Sequence, residues 1–150
     1  MKLSGVLANQ VLIAALAAWA LAQIIKMPLE YLQTRRWNWS LLFRPGGMPS
    51  SHSALVAAVA HANGLYVGFD SPIFALSVAI AMIVIYDATG IRRQAGKHAE
   101  IINAMINDLA MGHPLREEQL REVLGHTPLE ALGGTLLGIV IAQLFWIAWH

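Results

Sequence analysis

Four apolar stretches, residues 6–25, 53–69, 73–91 and 129–149, set the pattern of the chain. The first has no charged residue, and at about 1.5 Å per residue it is long enough to cross a hydrocarbon core of about 30 Å. The pattern predicts an all-α fold, an integral membrane bundle of about four transmembrane helices. We expect residues 1–150 to form a single membrane domain.

The first apolar stretch also admits a second interpretation. Lys2 precedes it, and Ala20-Leu21-Ala22 is similar to a signal-peptide cleavage site. The stretch is long for the apolar region of a signal peptide, and its removal would leave few spans. We therefore favour a retained transmembrane helix.

Two polar segments, residues 26–52 and 92–128, separate the spans. Helical spacing of apolar residues from 94 to about 111 predicts an amphipathic helix at the membrane surface. A short polar helix is expected over 115–124. The bundle therefore carries one or two interfacial helices.

Two helix starts have recognisable capping residues. Serines just before residue 54 are candidate N-caps of the second span. The fourth span begins at Thr127-Pro128, with Glu130 completing a partial capping box. Three glycines in that span permit close helix packing: Gly133, Gly134 and Gly138.

The basic residues indicate the topology. The two polar segments carry nine of the ten Lys and Arg residues, whereas the turn between the second and third spans has only Asp70. By the positive-inside rule both segments face the cytoplasm. With four spans, they lie on the same side of the membrane in either orientation.

Composition narrows the class of protein. The chain is 57% hydrophobic and 13% charged, which excludes an ordinary soluble fold, and its net charge of +1 gives no general attraction to nucleic acid. It contains no cysteine, which excludes disulfides and thiolate chemistry. No His, Asp or Glu grouping has metal-ligand spacing, so we expect neither a metal nor a cofactor.

Two polar clusters contain the candidate chemistry. Residues 46–54, GGMPSSHSA, place His52 where a helix begins and where N–H donors can hold an anion. Residues 92–98, RRQAGKH, add cations and a second imidazole. Because both clusters lie on one side of the membrane, we expect them to form one phosphate site.

Metal-free hydrolysis of a phosphate monoester needs a nucleophile, an acid for the leaving oxygen and fixed donors. His98 can be the nucleophile, forming a phosphohistidine, while His52 protonates the leaving oxygen and then activates water. The residues that can bind the phosphate are Lys26, Arg44, Gly47, Ser50, Ser51, Arg92 and Arg93. Asp87 is a further catalytic candidate, because an acid within an apolar helix is costly without a function or a partner.

We assign no chemistry to the other four histidines: His61, His113, His126 and His150. We interpret His126 as structural, because its neighbours already account for a helix start. A salt bridge to Arg92 or Arg93 is the alternative role for Asp87.

These motifs resemble those of a known superfamily. Pro49-Ser50-Ser51-His52 is similar to the Pro-Ser-Gly-His motif of the type 2 phosphatidic acid phosphatase and vanadium haloperoxidase superfamily. Arg92, six residues before His98, resembles its Arg-x5-His motif. Three longer strings are similar to a divergent branch of small bacterial and plant membrane proteins: GGMPSSHSA, YDATGIRRQAGKHA and LGHTP.

The resemblance implies a membrane phosphatase acting on a lipid phosphate, such as a phosphatidyl-glycerophosphate, a phosphatidate or an isoprenyl phosphate. We expect the protein in a bacterial inner membrane, with the site facing the cytoplasm by the positive-inside rule, and phosphate or its mimic vanadate as the site ligand. Two other functional classes are alternatives. One is a non-catalytic lipid-phosphate binder or transporter, and the other is a scaffold that forms homo-oligomers through small-residue helix faces.

The chain departs from the superfamily pattern at two points. The lysine expected seven residues before Arg44-Pro45 is Trp37, so Lys26 is our substitute. The aspartate expected four residues after the nucleophilic histidine is Ile102. The candidates for its role are Asp87 and Asn103.

Overall fold

The computed structural model describes residues 5, 8–35, 47–90, 94, 96, 98, 99, 101–103, 105, 106 and 126–149. Its helices are α1 (Gln10–Thr34), α2 (Ser51–Val67), α3 (Pro72–Thr89) and α4 (Pro128–Trp149). The described residues from 94 to 106 are helical too, and no strand occurs in the described part of the chain. The all-α prediction is confirmed, whereas the short helix expected over 115–124 lies outside the described residues.

Helix α1 is longer than the predicted span. Its N-cap is Asn9, whose side chain accepts a hydrogen bond from the Leu12 N–H at 3.0 Å. It ends at Thr34 rather than Ile25, and the left-handed Arg35 follows. Lys26 therefore lies within a helix and not in a loop, which corrects the prediction that a polar loop begins there.

Helix α2 is the centre of the bundle, in contact with α1, α3 and α4. It has 17 residues, whereas the other three helices are each long and apolar enough to cross a membrane. Alanines dominate the core where the helices meet: Ala15, Ala18, Ala22, Ala54, Ala58, Ala62 and Ala142. Such small side chains let helix backbones approach closely, which is the usual basis of packing between membrane helices.

Capping residues form the turn between α2 and α3. Ser71 is the N-cap of α3, with its Oγ accepting from the Phe74 N–H at 3.3 Å, and Pro72 occupies the first helical position. Gly68, which ends α2, has a φ of 118° that disfavours any other residue. The two helices consequently form a tight hairpin.

Large apolar side chains cover the outside of the bundle. On α3, Met82 and Ile83 are 68% and 69% exposed, and on α4 Leu136 and Ile147 are exposed as well. A surface this apolar suits contact with lipid tails rather than with water. The helical residues near 102 also expose Ile102 and Met105, as expected for a helix at the membrane interface.

Two glycines let α4 approach the first turns of α2. A Cβ placed on Gly134 would lie 2.1 Å from the Ser50 carbonyl oxygen, and one on Gly138 would lie 2.3 Å from the Ala54 carbonyl oxygen. The predicted close packing of the fourth span is confirmed. The partner of these glycines is α2 of the same chain.

We predict that Gly134→Ala destabilises the protein by about 1–3 kcal/mol, because the new methyl group meets a backbone oxygen that cannot rotate away. Gly133→Ala is the matched control. Its nearest obstacle, Met48 Cε at 3.2 Å, is the end of a flexible side chain. Apparent melting temperatures in detergent measure both effects, and equal values for the two variants would contradict the packing described here.

Candidate functional site

The start of α2 is fixed by Ser50. This buried N-cap accepts hydrogen bonds at Oγ from the Ser53 N–H at 3.3 Å and the Ser53 hydroxyl at 3.1 Å. Its own N–H donates to the Glu130 carbonyl oxygen at 2.9 Å. Ser50 therefore ties the first turn of α2 to the first turn of α4. Its proposed contact with phosphate stays a prediction.

Lys26 reaches the same helix start from α1. Its side chain is buried, and its ammonium group donates to Ser51 Oγ at 3.3 Å and to Gln23 Oε1. The Lys26 Cδ lies 3.8 Å from the position of a Cβ on Gly47, whose φ is 79°. The structure thus brings together Lys26, Gly47 and Ser51, three of the residues predicted to bind phosphate.

A cavity of about 210 Å³ lies beside this group. It is lined by Lys26, Leu29, Glu30, Gly47, Met48, Thr127, Leu129 and Glu130. One ammonium group faces two carboxylates here, so these residues alone do not favour an anion. A phosphate bound in this cavity needs further cations, and the three predicted ones, Arg44, Arg92 and Arg93, lie outside the described residues.

His52 faces α3, whereas Ser51 contacts Lys26 of α1. Successive residues of an α-helix project about 100° apart, so His52 points away from the direction of Ser51. It lines a second cavity, of about 180 Å³, with Ile83, Val84, Asp87 and Ala88 of α3. The structure therefore joins His52 to the half-buried Asp87, and it places Lys26 at a separate cavity on the other side of the helix start.

His98 lines neither cavity. It lies on the helical residues after Gln94 with its side chain exposed, and Ile102, one turn later, is 43% exposed. Asn103, the other candidate for the missing aspartate, is buried. The nucleophilic role of His98 stays a prediction.

His126, which we interpreted as structural, lies close to His52. It is 4% exposed, and its ring centroid lies 6.0 Å from that of His52. Its backbone N–H donates to the Ala88 carbonyl oxygen at 3.0 Å, and its Nδ1 lies 3.1 Å from Glu130 Oε2. The string LGHTP was the available signal, but we interpreted this histidine as part of a helix start alone.

Glu130 holds both the helix start and this imidazole. Its Oε2 accepts from the Thr127 N–H at 3.1 Å, while its own N–H donates to Thr127 Oγ1 at 3.3 Å. The predicted capping box is confirmed. The same residue contacts His126 and lines the larger cavity. Within the described ranges no cluster of three His, Asp or Glu residues is arranged to hold a metal ion.

Comparison with known proteins gives two matches. A sequence model of the Divergent PAP2 family matches residues 7–141. The chain is 41% identical over 146 residues to a Bacillus subtilis (strain 168) protein described as the uncharacterized membrane protein YuiD, covering 90% of this chain and 92% of that protein. No solved structure matches the chain at a significant level.

We predict that Lys26→Gln weakens binding of vanadate by at least about tenfold, because a charge-assisted bond is worth more than the 1.4 kcal/mol that tenfold represents. Glutamine is one atom shorter than lysine and keeps a polar group on this side chain, so we expect the fold to be kept. Arg35→Gln, at the exposed end of α1, is the control. Calorimetric titration in detergent measures both, and equal affinities would exclude Lys26 from the anion site.

Proposed function

Because this chain belongs to the Divergent PAP2 family, we propose that it is a membrane phosphatase that hydrolyses a lipid phosphate monoester at the start of α2. The observation that carries the proposal is the position of His52. It lies in the first turn of α2, with the imidazole of His126 on one side and the Lys26–Ser51 contact on the other.

The first turn of α2 is suited to a phosphoryl group. The first N–H groups of a helix have no partner within the helix and carry partial positive charge, so they attract anions. The buried ammonium of Lys26 adds a full charge next to this turn. Arg92 and Arg93, which follow α3 in the sequence and lie outside the described residues, are the candidates for the further cations that the two carboxylates of the larger cavity require.

The substrate class follows from the apolar surface. A lipid phosphate such as a phosphatidyl-glycerophosphate, a phosphatidate or an isoprenyl phosphate can keep its tail against the exposed Ile83 of α3 while its head enters beside His52. No soluble diffusing substrate is needed. We place the site on the cytoplasmic face of a bacterial inner membrane, since the basic segments face that side under the positive-inside rule.

The reaction proceeds through a phosphohistidine. His52 gives a proton to the leaving alcohol oxygen and later takes one from the attacking water, the two halves of general acid–base catalysis. A second imidazole receives the phosphoryl group in between. Asp87, which shares a cavity with His52, is placed to hold His52 in the required orientation.

One observation favours a second function, binding of a lipid phosphate without turnover. His98, the nucleophile that the superfamily resemblance indicates, is exposed and lines neither cavity. A protein that retained the anion site and lost the nucleophile would bind and carry such lipids. The two functions differ in a single measurable property, the release of inorganic phosphate.

We predict that the purified protein releases phosphate from at least one lipid in a panel of phosphatidyl-glycerophosphate, phosphatidate and isoprenyl phosphate. His52→Gln should lower that rate by about 10²-fold or more, the usual contribution of an acid–base group. His61→Gln is the matched control on the same helix, because His61 bonds to Gln143 at 3.0 Å, away from the site.

The panel separates the alternatives. Saturable lipid binding without phosphate release by the wild type would establish the binding function and exclude the phosphatase. Release that is unchanged in His52→Gln would exclude the acid–base role of His52. Equal losses in His52→Gln and His61→Gln would indicate damage to α2 and would also contradict a specific role for His52.

A further inference from the structure

We propose that His126, oriented by Glu130, accepts the phosphoryl group in this site, the role that sequence resemblance gives to His98. The inference rests on the proposed phosphatase function, and it identifies the atom that attacks. Four observations support it. They are the hydrogen bond at His126 Nδ1, the lack of a described hydrogen-bond partner at its Nε2, its distance from His52, and the exposed position of His98 outside both cavities.

The hydrogen bond fixes the tautomer of His126. A carboxylate oxygen can only accept, so the Nδ1 that lies 3.1 Å from Glu130 Oε2 carries the hydrogen. In the neutral ring, the lone pair then lies on Nε2, which becomes the nucleophilic atom. A nucleophile or base oriented by a third group is the arrangement that covalent catalysis by an imidazole requires.

The Nε2 of His126 is open to a ligand. No described residue forms a hydrogen bond with it, although the residue is 4% exposed. An unpaired nitrogen in a buried position can meet a phosphoryl group while bulk water is kept away.

The two rings are placed for the two halves of one transfer. Their centroids lie 6.0 Å apart with planes at 59°, so the two imidazoles are close enough to act on one phosphoryl group. His126 is also tied to α3, where its backbone N–H bonds to the Ala88 carbonyl oxygen next to Asp87. The start of α4 therefore contacts α3 at Ala88, which lines the cavity together with His52.

The phosphoryl group is transferred in two steps, first to His126 and then to water. The lone pair of His126 Nε2 forms an N–P bond while the bond between phosphorus and the lipid oxygen breaks. The departing oxygen keeps that electron pair and takes the proton of the His52 imidazolium. Water then attacks phosphorus and gives a proton to His52, the N–P bond breaks with its electrons returning to Nε2, and inorganic phosphate leaves.

The direct test is to locate the phosphohistidine in the wild-type protein. The protein in detergent is mixed with a ³²P-labelled lipid of the panel that it hydrolyses, quenched rapidly in alkali, digested and mapped by mass spectrometry. Label on His126 is the expected result. Label on His98 or His52, or turnover without any labelled histidine, would overturn the inference while leaving the phosphatase function intact.

A variant of the orienting group adds an independent readout. Glu130→Gln keeps a capping-box residue at the third position of α4 and removes the charge that orients His126. We expect kcat to fall at least tenfold with KM and melting temperature little changed, with the exposed Asp70→Asn as the control. Unchanged kcat, or a loss that follows the melting temperature alone, would overturn the role of the pair. Absence of turnover by the wild type on every lipid would overturn both proposals.

Discussion

The contact between the first turns of α2 and α4 is the constraint on which the candidate site depends. Gly134 has no side chain because the Ser50 carbonyl oxygen occupies that space, and the Ser50 N–H donates to the Glu130 carbonyl oxygen at 2.9 Å. A membrane offers little hydrophobic force between helices, so close packing and hydrogen bonds decide which surfaces meet. Here both bring two helix starts together, and with them two histidines that are far apart in the sequence.

This junction explains why the polar residues of the site can be buried in an apolar bundle. A buried polar group is costly unless it is hydrogen-bonded, and the partners here come from a neighbouring helix or from the same helix start. Ser51 receives the Lys26 ammonium from α1, and His126 meets the Glu130 carboxylate from its own helix start. The same contacts that stabilise the bundle orient the groups to which we assign the chemistry.

The apolar pattern predicted most of the fold, because the starts of α3 and α4 are marked by local capping chemistry. Thr127 caps α4 as expected and Ser71 caps α3 in the same way, since such bonds join residues close in sequence. The predicted end of α1 was wrong, because the contact that bears on it joins residues far apart in the sequence. A lysine that follows an apolar run resembles the start of a loop, and only the contact with Ser51, on another helix, explains why Lys26 remains in the helix and is buried.

The candidate site was predicted in part. The PSSH motif identified His52 and the serines directly, because the motif is contiguous. The proximity of His126 to His52 could not be predicted from the sequence, since the 6.0 Å distance between their rings depends on the packing of α4 against α2. The division of the predicted residues between two cavities follows from helix geometry, because neighbouring residues of α2 must face different helices.

The central claim is that phosphate chemistry takes place where α2 and α4 begin. A crystal structure of the wild-type protein with vanadate tests it most directly, because vanadate adopts the geometry of a phosphoryl group in transfer and bonds to the attacking atom. Our account predicts vanadium bonded to His126 Nε2, with an oxygen hydrogen-bonded to His52. Vanadate bonded to His98, or bound away from the first turn of α2, would contradict it.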